Sequence, residues 1–279
     1  MNPLYFVGTP DWRSAMLSLA FTAPWLFLLT RGWLKRFWVW LFIVAGAVLF
    51  PLSLAWFQAP IERALDILWL NPWIDLLPTQ AVQRGWWLWL PYIILSGLVQ
   101  ELAKFGLSVA GIALARSRQV TQARRVADVP APTIWAKMEH SLLPRQAGLA
   151  VGAAVGAGYG GMEVFRVLNL IFASGFPRET VCLWGTTVFL GFLERFFVAM
   201  FHIGAASISA YGYVTGRLWR YLLLAIGLHS LMNFSVPLNR TGLLSVVGVE
   251  IWIASVAVAT MVAALWIRAR WGLEIEGGV

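Results

Sequence analysis

The sequence predicts an all-α, polytopic transmembrane helix bundle of about seven to eight spans. Three observations predict it. Apolar residues make up 59% of the 279-residue chain and charged residues only 12%, where a soluble domain carries about 25% charged residues. Mean hydropathy is +0.72. The charges also gather in short clusters between apolar runs long enough to cross a bilayer. These runs use up the length, so residues 1–279 read as one integral membrane domain, with 86–237 as its motif-bearing core.

Each element follows from local pattern. Residues 13–30 form the first apolar run, with Pro24 inside it to kink the helix. Arg31, Lys35 and Arg36, flanked by Trp33 and Trp38, mark an interface. The second run is 37–57. Residues 58–85 hold Pro60, Pro72 and Pro78 and charges of both signs. There Leu65, Leu68, Trp69 and Trp73 suggest a short interfacial helix. The third run, 86–115, opens on Trp86, Trp87 and Trp89. The longest polar segment is 116–145, a loop suited to contact anionic lipid. Residues 147–173 form a fourth run, Gly-rich at its start, as close helix approach requires. In 180–215 the charges Glu194-Arg195 suggest a division into an interfacial or re-entrant piece and a fifth span from 194. Runs six and seven are 219–237 and 245–267. A full crossing by 180–193 would make eight.

Charge distribution orients the bundle. The net charge of +8 arises in a few loops, which is the positive-inside signature and argues against a nucleic-acid partner. With the N-terminus outside and the C-terminus cytoplasmic, thirteen Lys/Arg lie in inner segments and five in outer ones. Cys182 is the only cysteine, so no intrachain disulfide forms. No signal-peptide pattern precedes the first run, which is expected to direct insertion itself.

The chemistry-bearing residues lie within the spans. Glu101, Glu163, His202 and His229 fall on four different runs, each roughly 12–17 Å below the outer surface at helical rise. Ionisable groups at such depth cost several kcal/mol unless they face a partner or a cavity. Glu101 and Lys104 are three residues apart and share a helix face, as do His229 and Asn233 at four. Arg195, His202 and Ser209 recur every seven residues. Glu194-Arg195 reads as a structural pair at a span edge. The Glu101–Lys104 pair alone would serve as a buried lock between helices.

Together these groups suit hydrolysis of a peptide bond within the membrane. A carboxylate activates water, histidines orient it and stabilise the oxyanion, and an amide adds a donor. A divalent metal such as zinc on Glu163, His202 and His229 is the alternative means of activating water. Other chemistries fit less well: there is no His-Glu-x-x-His, no Gly-x-Ser-Gly, and no Asp within any run.

Four ordered segments carry a resemblance. They are Gln100-Glu101-Leu-Ala-Lys104-Phe105, Gly158-Tyr-Gly-Gly-Met-Glu163, Glu194-Arg195 through Phe201-His202, and His229-Ser-Leu-Met-Asn233-Phe234. Their order and spacing resemble the PrsW and YhfC families of intramembrane proteases, in the wider group of CAAX-prenyl endopeptidases and bacteriocin-processing membrane enzymes. The resemblance covers about residues 95–235. It implies an intramembrane glutamic-type or metallo-endopeptidase in a prokaryotic cell membrane, acting on a membrane protein or peptide. Its site residues would be Glu101, Lys104, Glu163, His202, His229 and Asn233. The first motif of that group begins with two glutamates, and here Gln100 takes the first place. Two further classes therefore stay open. One is a non-catalytic scaffold or chaperone on the same fold, which Gln100 favours. The other is a proton-coupled transporter using Glu101, Lys104 and Glu163, for which the sequence lacks the expected inverted repeats.

Overall fold

The computed structural model describes residues 10–76, 85–126 and 145–276, and these are helical with no strand among them. Helix α1 spans Trp12–Thr30 and α2 spans Phe37–Ile74. Helix α3 runs Leu90–Val126 behind a 3₁₀ turn at Trp86–Trp89. Helix α4 is Arg145–Ala173, α5 is Arg178–Trp184 and α6 is Val188–Val214. Helix α7 is Leu218–Asn233, α8 is Ser235–Arg240 and α9 is Val246–Glu276. Among the described residues six helices are long and apolar enough to cross a membrane: those around α1, α2, α3, α6, α7 and α9. The fourth expected span forms α4, with 29 residues. Its glycines and alanines, with Glu163, Arg166 and Asn169, keep its apolarity lower than that of the others.

Helix α4 is the axis of the bundle, and residues 147–160 are buried without interruption. Glycine makes this possible. A methyl group at Gly158 would collide with the Ile43 carbonyl of α2 and stand 2.8 Å from the Ala47 nitrogen. On the opposite side, one at Gly156 would collide with the His202 carbonyl of α6 and stand 2.9 Å from the Ile203 Cα. Backbones therefore meet directly on both sides of α4, where dispersion rather than hydrophobic exclusion drives association in lipid. Asp11 caps α1, accepting from the Arg13 N–H at 2.8 Å, and the Asp11 N–H donates to Asn169 Oδ1 of α4 at 3.2 Å. The large apolar side chains that point away from the core, such as Phe37, Leu68, Leu223 and Trp266, face the region that lipid would fill.

Two expected boundaries are corrected. The interfacial helix expected in 58–85 does not stand apart, because α2 continues to Ile74 for 38 residues. Wide π-turns at Leu54–Gln58 and Asp66–Leu70 take up the disruption from Pro51, Pro60 and Pro72. Trp69 and Trp73 pack instead on Trp87, at 6.1 and 5.2 Å between ring centroids. The division at Glu194-Arg195 is also absent. The break falls at Gly185, which holds φ +60 before α6 starts. Helix α5, with seven residues, is about 10 Å long and cannot cross a bilayer. Residues 77–84 and 127–144 of the polar segments lie outside the described residues.

Candidate functional site

Four helices contribute to one polar network. On α3, Glu101 and Lys104 are one turn apart, and both side chains are fully buried. Lys104 Nζ donates to Glu101 Oε1 at 2.6 Å and reaches His202 Nδ1 of α6 at 2.7 Å. The opposite nitrogen, His202 Nε2, lies 3.0 Å from Glu163 Oε2 on α4. From α7, His229 Nδ1 lies 2.6 Å from the same Glu101 Oε1. The two imidazole centroids are 5.3 Å apart. Glu101, Lys104, Glu163, His202 and His229 are thus brought together from α3, α4, α6 and α7.

The partners assign the tautomers. An ammonium can only donate, so His202 accepts at Nδ1 and carries its proton at Nε2, from which it donates to Glu163. A carboxylate can only accept, so His229 donates from Nδ1 and keeps a lone pair at Nε2. A continuous line of hydrogen bonds then joins Glu163, His202, Lys104, Glu101 and His229. Glycine again permits it: a methyl group at Gly160 would stand 2.7 Å from the His202 Cβ.

The two carboxylates differ in setting. Glu101 is wholly enclosed, and its Oε2 has no hydrogen-bond partner among the described residues. The Glu163 side chain keeps about 21% exposure and lies 3.5 Å from Arg195 NH1. Arg195 also pairs with Glu194. The pair expected at a span edge therefore belongs to the network, because α6 begins before it and Arg195 is buried. The spacing of seven residues between Arg195 and His202 was the available signal. Around the network, Tyr159 bonds Ser53 across α4 and α2 at 2.8 Å, and its ring lies 5.4 Å from Lys104 Nζ. Tyr159 lies within the Gly158–Glu163 segment singled out in the sequence, whereas Ser53 carries no mark there.

Asn233 does not join the network. Its amide donates to Ser96 Oγ at 3.2 Å, and Gln100 Nε2 donates to the same oxygen at 3.1 Å. Gln100 also reaches Gln58 Oε1 at 3.4 Å. Gln100 and Asn233 form a second polar layer beside the first. Replacing Asn233 by Leu is therefore expected to leave the spacing of His229 and Glu101 intact and to cost about 1 kcal/mol of stability in thermal unfolding.

The converging donor set also differs from the expected one. Ligand atoms of Glu101, His202 and His229 lie within 4.8 Å of one another, whereas Glu163 holds the far nitrogen of His202. Lys104 Nζ sits at bonding distance from Glu101 and from His202. A divalent cation at that point would face an ammonium at contact distance, so this arrangement does not fit a resident metal. No family model, characterised protein or solved structure matches the chain.

Proposed function

We propose that this protein is a membrane-embedded peptidase whose water is activated by Glu163 without a metal. The observation that carries the reading is the line of hydrogen bonds joining two carboxylates through His202 and Lys104 at bilayer depth. Ionisable groups inside spanning helices are rare and costly, and by default they point to a functional site. Glu163 is the base because it alone of the two carboxylates keeps contact with the outside, and His202 and Arg195 fix its two oxygens. It takes a proton from water as the hydroxide attacks the peptide carbonyl, then delivers that proton to the leaving amine. His229, held by Glu101 through its Nδ1–H, turns its Nε2 lone pair to the attacking water and orients it. Lys104 supplies the positive charge that holds Glu101 and His202 in place. In this reading α4 also crosses, giving seven spans with the N-terminus outside and the C-terminus cytoplasmic, as the distribution of Lys and Arg favours.

The test is cleavage of a tagged single-span reporter by the protein in proteoliposomes. Glu163→Gln is expected to lower the rate about 10²–10⁴-fold, the usual worth of a general base. His202→Ala and His229→Ala are expected to lower it as well. A chelator is expected to leave the wild-type rate unchanged. Unchanged rates in all three variants would sink the peptidase reading, and loss of activity on chelation would restore the metal. The scaffold alternative rests on Gln100. It predicts a silent wild type that gains cleavage on Gln100→Glu.

A further inference from the structure

Beside the buried network lies a pocket of about 300 Å³, at the small end of ligand sites, whose largely apolar lining carries several polar groups. Its walls come from α2, α3, α7 and α8, and they include Gln58, Glu62, Trp89, Ser96, Asn233 and Arg240. We infer that this pocket binds the hydrophilic backbone of a peptide and presents it to the Glu101–His229 end of the site. The inference rests on the peptidase reading and names where its substrate is held.

The lining suits an amide. A carboxamide donates and accepts side by side, as a peptide group does, and Gln58 and Asn233 both face the pocket. Ser96 and Asn233 line the pocket, and Gln100, behind them, donates to the same Ser96 Oγ as Asn233. Gln100 is 7% exposed, and its Oε1 has no partner among the described residues. The pocket and the site share two helices: Ser96 lies on α3 with Glu101, and Asn233 is one turn beyond His229 on α7. At the mouth, Arg240 stacks on Trp89 at 4.7 Å, and Glu62 accepts from Gln58 at 2.8 Å. One cation beside one carboxylate is a poor match for a lipid phosphate, which favours several converging cations. The mouth lies at the Trp86–Trp89 end of α3, the outer side when the N-terminus is outside.

The experiment uses the full chain in proteoliposomes with Cys182→Ser, so that an introduced cysteine is the only thiol. Ser96→Cys is labelled from outside with a membrane-impermeant maleimide, and Ser207→Cys, at a fully buried position, serves as the closed control. Ser96→Cys is expected to react faster than the control. An acetylated alanine tripeptide amide in the millimolar range is expected to slow that reaction about threefold, the protection given by ligand at about twice its dissociation constant. Three results would overturn the inference: labelling no faster than the control, no slowing by the peptide, or equal slowing by glycerophosphocholine. Should Ser96→Cys fail to fold, Val236→Cys on the exposed rim carries the same measurement. The readout needs no turnover. Protection without cleavage keeps the pocket and removes the peptidase, and cleavage without protection does the reverse.

Discussion

Glu101→Gln is expected to destabilise the protein by about 3–5 kcal/mol and to abolish cleavage. The size follows from what is left behind. Lys104 is fully enclosed, and removal of its carboxylate strands a cation in a low-dielectric interior. Two hydrogen bonds onto Glu101 Oε1 weaken together, from Lys104 and from His229, so α3 and α7 lose their charged link. A second variant separates support from chemistry. Glu101→Gln combined with Lys104→Met removes both charges, and replacing a buried pair by apolar groups is often neutral or stabilising. Stability should return while cleavage stays absent. Thermal unfolding in detergent and the reporter assay read the two effects apart. If the double variant recovers cleavage, Glu101 and Lys104 are only a lock between helices.

Gly156→Leu is expected to give the second large effect. The added side chain has no room, since its Cβ alone would stand 2.9 Å from Ile203 Cα and 3.0 Å from Ala206 Cβ. Overpacking of this kind costs about 1–3 kcal/mol, more where backbone must shift. The same displacement moves α4 away from α6 and parts Glu163 from His202, so activity should fall further than stability alone explains. Gly227→Ala is the matching control. No atom lies within 4 Å of its added Cβ, and Ala in a helix interior is favoured over Gly by about 1 kcal/mol. Its melting temperature should hold or rise. Equal effects from the two substitutions would refute direct backbone contact between α4 and α6.

The all-helical class was legible because apolar runs of spanning length leave little else to build. Much of the site was legible from depth and spacing. Four ionisable groups at one level, on four spans, have few arrangements that avoid an uncompensated charge. The rotation of each helix about its own axis was not legible. Asn233 shares a face with His229, yet its amide donates to Ser96 of α3, as that of Gln100 does. Arg195 read as an edge residue because charges in sequence mark boundaries, and its partner Glu163 is 32 positions away. The length of α2 was hidden by prolines, which stop a helix in one dimension but are absorbed by π-turns when neighbours hold the chain.

That length couples the protein to its lipid. At 1.5 Å per residue, the 38 residues of α2 extend about 57 Å, nearly twice the hydrocarbon thickness of about 30 Å. The helix must lean, bend or project, and hydrophobic mismatch decides by how much. Gln58 ends the first π-turn and Glu62 sits between the two, so acyl-chain length sets where they stand relative to Ser96 and Arg240. Bilayer thickness thereby becomes a control on the width of the outer mouth. The protein should work best in membranes of one thickness and lose rate in lipids that are shorter or longer.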